Sequence, residues 1–193
     1  MTAAKTTRTA SKRRRYLPGD PLPEDEVAGM IRVDHAGEYG ARRIYEGQLA
    51  VLGDSSSGPL IRKMYEQEKE HLDTFDKLIL ERRVRPTALQ PVWHVAGFLL
   101  GAGTALLGEK AAMACTVAIE ETIDEHYAAQ ADALSGNKEE APLRATIEKF
   151  REEELEHRDI GLEEGAEEAP GYTLLTGAIK AGSRLAIWLS QKI

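Results

Sequence analysis

The stretch Glu68-Lys69-Glu70-His71 recurs 86 residues later as Glu154-Leu155-Glu156-His157. Each copy places a glutamate three residues before a histidine. Positions i and i+3 of a helix lie on one face about one turn apart, so the carboxylate and the imidazole can converge on one metal ion. A single Glu-x-x-His is a weak signal in a glutamate-rich chain, and the prediction depends on the repetition.

Apolar periodicity places both copies on the inner faces of helices. A helix predicted from about Leu60 to Arg83 has an apolar stripe at 3-4-3-4-3 spacing, and Glu68 and His71 occupy two positions of that stripe. A helix predicted from about Pro142 to Glu164 repeats this arrangement with the second copy. Each motif therefore stands where core residues are expected.

Two further predicted helices each carry one glutamate on the inner stripe. In the helix from about Asp25 to Leu52, Glu38 lies at a core position. In the helix from about Lys110 to Leu134, Glu120 fits the stripe better than Glu121, although periodicity alone leaves both open. Each half of the chain is thus a predicted helical hairpin with one lone glutamate and one Glu-x-x-His. This is the arrangement of di-iron and di-manganese four-helix bundles.

The charge of this core indicates which metal it would hold. Buried carboxylates without partners cost several kcal/mol each, so something must neutralise them. Four carboxylates and two neutral imidazoles balance two divalent ions. Oxygen-rich ligation favours iron or manganese over zinc or copper. The pattern therefore predicts a non-haem di-iron centre in a single domain over residues 24–193.

Other polar residues near the motifs receive different interpretations. His35 and His126 lack ligand spacing and are predicted to make hydrogen bonds, either beside the metal ligands or elsewhere. Asp34, one turn before Glu38, is a candidate to hold the free N–H of a metal-bound imidazole. The remaining glutamates of the motif region are interpreted as charges on the solvated face: Glu66, Glu70, Glu152, Glu153 and Glu156.

The termini and the middle of the chain differ from this acidic bundle. Residues 1–23 read as a disordered basic tail, with a mitochondrial transit peptide as the less favoured alternative. Residues 1–16 carry six basic residues and no acid, so the rest of the chain has a net charge of −13, and such an acidic body argues against nucleic acid as the main partner. The single cysteine, Cys115, suits a reducing compartment. Residues 91–108 carry no formal charge and are predicted to be an interfacial segment or a buried crossover.

A final helix of about twenty residues is predicted after Pro170-Gly171. It contains Lys180, Arg184 and Trp188, and no acidic residue follows Glu168. A cationic helix with a tryptophan is typical of a membrane-surface element. A terminal helix packed on the bundle explains the same pattern equally well.

Six stretches resemble the demethoxyubiquinone hydroxylases of ubiquinone biosynthesis, over about Met30 to Ile193. They are Asp34-His35-Ala36-Gly37-Glu38-Tyr39-Gly40-Ala41, Gln67-Glu68-Lys69-Glu70-His71, Arg83-Val84-Arg85-Pro86-Thr87, Gly101-Ala102-Gly103-Thr104-Ala105-Leu106-Leu107-Gly108, Met113-Ala114-Cys115-Thr116-Val117-Ala118 and Glu153-Glu154-Leu155-Glu156-His157. The resemblance implies a ferritin-like all-α bundle with a long crossover and an additional C-terminal helix. It also decides between Glu120 and Glu121 in favour of Glu120.

The resemblance implies an activity and a set of site residues. The activity is hydroxylation of the ring of 2-polyprenyl-3-methyl-6-methoxy-1,4-benzoquinol, with O2 as co-substrate, two iron ions per chain and NADH as the expected electron donor. Tyr127 and His126 are candidates for contacts beside the metal, but Glu125 stands where the family has a second histidine, which weakens a relay through that pair. The implied metal ligands are Glu38, Glu68, His71, Glu120, Glu154 and His157.

The resemblance also implies a location and partners. The protein would attach peripherally to the membrane that holds its polyprenyl quinone. The expected location is the cytoplasmic face of a bacterial inner membrane or, alternatively, the matrix side of the mitochondrial inner membrane. A lipid-binding partner protein of ubiquinone synthesis is expected, and a homo-oligomer is left open.

Two other classes of protein share part of the pattern. A ferritin-type iron store or ferroxidase uses similar ligands, but it would form a soluble shell with no use for a cationic, Trp-bearing helix. A non-catalytic helical bundle would pair the inward carboxylates with lysine or arginine and would bind no iron. Molecular mass in solution separates the first class, and metal analysis separates the second.

Overall fold

The chain is organised as two helical hairpins joined by a helical crossover. A computed structural model describes residues 23–193, which form six α-helices and a single 3₁₀ turn at Ala166–Glu168, with no strand among them. The predicted all-α fold is confirmed. The predicted basic tail over residues 1–23 lies outside the described residues, apart from Pro23, where the first helix begins. The helices are α1 Pro23–Leu52, α2 Gly58–Glu81, α3 Gln90–Leu106, α4 Glu109–Ala133, α5 Ala141–Glu163 and α6 Tyr172–Lys192.

Local sequence explains where the helices begin and end. The first turn of α1 contains Glu24, Asp25 and Glu26, whose charges suit the positive end of the helix. Both α2 and α5 carry a proline in the first turn, where the missing N–H costs nothing. Gly171 has φ 67° immediately before α6, a left-handed conformation that glycine adopts at little cost.

The two hairpins pack so that their inner faces meet. Helix α1 packs against α2 and α3, and α4 packs against α5 and α6. One buried apolar cluster contains Ile31, Phe75 and Phe150, and another contains Met64 and Met113. The motif residues lie along the chain between the members of these two clusters, so the polar centre has apolar packing on both sides.

Helix α3 is the crossover, and its backbone touches that of α1. A Cβ added to Gly101 would overlap the carbonyl oxygen of Ile44, and one added to Gly47 would overlap that of Phe98. Residues 91–108 thus pack on α1 as a crossover, but the segment is not buried as one of the two predictions had it, because its other face exposes Leu99 and Leu106. No helix within residues 23–193 is both long and apolar enough to span a bilayer.

Candidate metal centre

The structure brings together the six predicted ligands from four helices. Each of these side chains is at most 1% exposed, although carboxylates and imidazoles are rarely buried so completely without partners. Helices α1 and α4 each contribute one glutamate, and α2 and α5 each contribute a Glu-x-x-His pair. The six residues are Glu38, Glu68, His71, Glu120, Glu154 and His157.

Ligand atoms of these residues form two overlapping groups that could each hold one ion. One group consists of Glu38, Glu68, His71 and Glu154, and the other of Glu68, Glu120, Glu154 and His157. Within each group the ligand atoms lie within 4.8 Å of one another. Glu68 and Glu154 belong to both groups, so they could bridge two ions, and the other four side chains would then be terminal ligands.

The histidines present the same ring nitrogen to the centre. His71 Nδ1 lies 3.1 Å from Glu154 Oε1 and 3.4 Å from Glu38 Oε2. His157 Nδ1 lies 3.1 Å from Glu68 Oε1 and 3.3 Å from Glu154 Oε2. In both residues Nε2 therefore points outward and is available for a different contact.

Several buried atoms of the centre lack a hydrogen bond, which is the test of whether the site fits a cation. Both oxygens of Glu68, one oxygen of each other glutamate and Nδ1 of His157 have no hydrogen-bond partner among the described residues. Glu68 Oε1 and His157 Nδ1 are 3.1 Å apart but not in hydrogen-bonding geometry. Inward oxygen and nitrogen lone pairs without donors are what a pair of divalent cations requires.

Burial and mutual repulsion make most of these carboxylates resist ionisation. Burial, together with the charge of Glu154, raises the pKa of Glu68 and that of Glu120 well above 4.5. The pKa of Glu38 is also raised, mainly by burial, although the nearby imidazole of His71 opposes the shift. Protons on these groups are the ones that a divalent cation would displace.

His71 and Glu154 are instead stabilised in their charged forms, because they pair with each other. Burial disfavours the charged form of His71, but the hydrogen bond to Glu154 and the nearby carboxylate of Glu38 outweigh this effect and raise the His71 pKa to about 12. Burial likewise opposes ionisation of Glu154, but the imidazole of His157, with Nδ1 3.3 Å away, and the hydrogen bond from His71 lower the Glu154 pKa to about 2. Cationic charge at the centre thus stabilises the Glu154 carboxylate.

Two tyrosines hold the terminal glutamates in a reciprocal arrangement. Tyr45 of α1 donates to Glu120 Oε1 at 2.7 Å, and Tyr127 of α4 donates to Glu38 Oε1. Each tyrosine follows the glutamate of its own helix by seven residues and contacts the glutamate of the other helix. The prediction of a contact beside the metal fits Tyr127. Tyr45 was missed, although its place on the Glu38 stripe could have indicated it.

The outward nitrogens of the histidines also have partners from the opposite hairpin. His71 Nε2 lies 2.8 Å from Glu153 Oε2, and His157 Nε2 lies 3.2 Å from Gln67 Oε1. The interpretation of Glu153 as a solvated charge was wrong, because it turns towards His71 and is only 26% exposed. Gln67 and Glu153 both immediately precede a motif glutamate, and this shared position was the available signal.

The other predicted polar residues contact partners outside the six candidate ligands. Asp34 was wrongly assigned to a ligand imidazole, since its Oδ1 contacts His126 Nε2 at 3.2 Å and accepts from Gln130 Nε2 at 2.7 Å. His35 Nε2 contacts Asp76 at 2.9 Å, as expected of an ordinary hydrogen-bonding histidine. Glu121 pairs with Lys180 on α6 instead of facing inward, whereas Glu120 is in the centre.

A cavity of about 550 Å³ lies between α1, α3, α4 and α6. Its lining is almost entirely apolar and includes several small residues of α1, such as Gly37, Gly40 and Ala41. Gly37 precedes Glu38 and Ile119 precedes Glu120, so two of the lining helices, α1 and α4, carry the terminal glutamates. An apolar ligand in this cavity would lie along the α1–α4 side of the centre.

The fold and the centre together define a class of protein. A bundle of two helical hairpins, with a mirrored set of four carboxylates and two imidazoles in its core, is the architecture of two-metal carboxylate bundle proteins. Comparison with known families specifies the class further. The family described as Ubiquinone biosynthesis protein COQ7 matches residues 25–190, and the chain belongs to this family.

Curated relatives agree with this assignment. The chain is 62% identical over 178 residues to a 3-demethoxyubiquinol 3-hydroxylase of Rhodospirillum rubrum, covering 92% of this chain and 83% of the relative. It is 56% identical over 176 residues to a human NADPH-dependent 3-demethoxyubiquinone 3-hydroxylase, mitochondrial, covering 90% and 81%. It is 42% identical over 179 residues to a 5-demethoxyubiquinone hydroxylase, mitochondrial, of Saccharomyces cerevisiae, covering 85% and 77%.

Proposed function

We propose that this protein is a 3-demethoxyubiquinol 3-hydroxylase. It would use O2 to hydroxylate the ring of 2-polyprenyl-3-methyl-6-methoxy-1,4-benzoquinol in ubiquinone biosynthesis, with two iron ions held by the six-residue centre. The observation that carries this proposal is the pair of overlapping ligand groups that share Glu68 and Glu154 in a chain of this family. Relatives named as hydroxylases of this kind support the choice of substrate.

The donor set supports iron. Four carboxylates supply a formal charge of −4, which two divalent ions balance, and oxygen-rich ligation with two imidazoles suits iron or manganese. When bound, iron would supply the dioxygen-reducing chemistry that ring hydroxylation needs and that amino-acid side chains lack. Glu38 and His71 would be terminal ligands at one position, Glu120 and His157 at the other.

The residues around the ligands would fix their orientation and exclude water. The hydroxyls of Tyr45 and Tyr127 occupy one oxygen of Glu120 and of Glu38, which leaves the second oxygen of each facing the centre. The apolar clusters on both sides contain Phe75 and Met64, both fully buried. Such a dry, preorganised site strengthens the electrostatic interactions of its polar groups.

The apolar cavity between α1, α3, α4 and α6 is the proposed site for the quinone ring and the first part of its tail. Its size is within the usual range for small-molecule sites, and its apolar lining suits an isoprenoid. Trp93 of α3 donates to Ser190 of α6 at 3.0 Å and joins the two outer helices of the cavity. The same two helices would guide the tail towards the membrane.

The proposed membrane contact rests on apolar surface more than on charge. Helix α3 exposes Leu99 and Leu106 at 62% and 75%, Leu107 directly after it is 69% exposed, and α6 exposes Trp188 at 55%. Such side chains favour the boundary between headgroups and acyl chains. The cations expected to help are engaged, since Lys180 pairs with Glu121 and Arg184 lies 2.9 Å from Glu125. Through this apolar surface the protein would attach peripherally to a quinone-containing membrane.

Aerobic turnover of a short-tailed demethoxyubiquinol by iron-loaded protein tests the function. NADH and NADPH are compared as reductants, because the expected donor is NADH and the human relative is named as NADPH-dependent. Mass spectrometry under ¹⁸O2 should find a hydroxylated product carrying one labelled oxygen atom. Absence of product with both reductants and with a chemical reductant would reject the proposal. Glu68→Ala serves as the inactive control.

A further inference from the structure

The surroundings of the two proposed metal positions resemble each other but differ in the outward contacts of the two histidines. Tyr45 and Tyr127 make equivalent hydrogen bonds to the terminal glutamates. The outward nitrogens of the two histidines also receive equivalent contacts across the hairpins. However, the partner of His71 is the carboxylate of Glu153, whereas the partner of His157 is the amide of Gln67. These partners occupy the same place in their motifs but differ in formal charge.

We infer that Glu153 is a positioning residue that makes the two metal positions unequal. The position formed by Glu38 and His71 would bind a divalent cation more tightly than the position formed by Glu120 and His157. This inference rests on the proposed metal centre and adds an order of filling to it. It concerns residues that are not themselves ligands.

The tautomer of each histidine follows from which ring nitrogen faces the centre. If Nδ1 binds the cation, the ring proton is on Nε2, which then donates to its outward partner. A carboxylate acceptor forms a stronger hydrogen bond than a neutral amide and makes the imidazole a better electron donor. The 2.8 Å contact of Glu153 is also shorter than the 3.2 Å contact of Gln67.

Neighbouring side chains hold Glu153 and His71 in this geometry. Lys149 Nζ lies 3.3 Å from Glu153 Oε1, one helical turn away, so Oε2 is left for His71. Lys149 is exposed, so water screens its charge and the carboxylate retains its effect on the imidazole. The ring of Phe150 stacks on His71 with centroids 4.0 Å apart, which limits rotation of the imidazole.

The test is a titration of the metal-free, full-length protein with Mn²⁺, with free Mn²⁺ followed by electron paramagnetic resonance. The unaltered protein should bind in two resolved steps. Glu153→Gln should weaken the tighter step by about 10- to 100-fold, the usual effect of removing such a partner. Gln67→Glu should tighten the weaker step, and the double exchange should restore two resolved steps.

Glu152→Gln is the matched control, because it removes the same charge from an exposed position of the same helix. It should leave both steps unchanged. Circular dichroism of each metal-free variant checks its fold, and Gln67→Glu tests the inference from the opposite direction if Glu153→Gln does not fold. The inference would be overturned if the unaltered protein bound two Mn²⁺ ions with equal affinity. It would also be overturned if neither Glu153→Gln nor Gln67→Glu changed the binding steps, and in both cases the proposed metal centre would stand. No Mn²⁺ or Fe²⁺ binding by the unaltered protein would overturn the proposed centre as well.

Discussion

The hydroxyl of Tyr45 donates a 2.7 Å hydrogen bond to Glu120 Oε1 across the interface between the two hairpins. Both side chains are buried, and burial is the main cause of their raised pKa values. The bond therefore connects the orientation of a proposed ligand on α4 to the packing of α1.

Tyr45→Phe should destabilise the metal-free protein by about 1–3 kcal/mol, because it leaves a buried carboxylate oxygen without its donor. Urea denaturation monitored by circular dichroism measures the change. Tyr65→Phe is the control, since Tyr65 donates to Glu46 at 3.2 Å in a partly exposed position. If Tyr45→Phe were as stable as Tyr65→Phe, the hydrogen bond from Tyr45 to Glu120 would not stabilise the fold as predicted.

Ligands shared by two metal positions should differ in their effect from terminal ligands. Glu68→Ala removes a residue common to both ligand groups, so both bound ions should be lost or greatly weakened. Glu120→Ala removes a residue of one group only, so about one ion should remain. Metal analysis after gel filtration measures the stoichiometry. Equal loss in the two variants would mean that Glu68 does not bridge.

The metal-free protein should lose stability between about pH 5 and pH 8. The raised folded-state pKa values of Glu68 and Glu120 give stability that is present below 4.5 and lost as pH rises. The His71 pKa of about 12 acts in the same direction, with loss beginning above 6.5. The lowered pKa of Glu154 gives stability that is lost only below pH 4.5, as the pH falls towards 2.

Thermal melts of chelator-treated protein across this pH range measure the loss. Glu120→Gln should flatten the pH dependence, because it removes one of the groups whose protonation differs between the folded and unfolded states. Metal-loaded protein should instead become more stable as pH rises, because bound cations displace these protons and bind more tightly at higher pH. Identical slopes for Glu120→Gln and the unaltered protein would contradict the assignment.

Close contact between α1 and α3 should make Gly101 intolerant of a side chain. Gly101→Ala forces a methyl group against the Ile44 carbonyl and should cost about 1–3 kcal/mol or more. Gly103→Ala, two residues away with open space at the Cβ position, should be neutral or stabilising by up to about 1 kcal/mol. Denaturation midpoints compare the two variants. Equal midpoints would show that α3 shifts freely on α1.

Membrane binding should depend on the exposed apolar side chains more than on Arg184. Leu106→Ser with Leu107→Ser should reduce sedimentation with liposomes strongly, because both side chains are largely exposed. Arg184→Glu should have the smaller effect, since Arg184 already pairs with Glu125. Trp188→Ala should lie between them. Unchanged binding after the leucine substitutions would reject α3 as the contact surface.

The sequence pattern determined the four bundle helices and five of the six inward polar residues. The 3.6-residue period fixes which side of a long helix is buried, and the mirrored Glu-x-x-His motifs mark the break in that apolar stripe. Helix bounds were predicted to within about two residues, as at α1 and α4. Periodicity could not separate Glu120 from Glu121, because adjacent residues both border a broad apolar face. The family resemblance made that choice.

Only the tertiary structure decided which side chains of the two hairpins contact each other. Tyr45 contacts Glu120 and Glu153 contacts His71 across elements far apart in sequence, and one-dimensional spacing carries no information about such pairs. The assignment of Asp34 failed for the same reason, since its partner depends on how α1 and α4 are rotated. The pairing of Lys180 and Arg184 with α4 likewise depends on where α6 docks. Periodicity fixes a face, but the packing of helices fixes what that face meets.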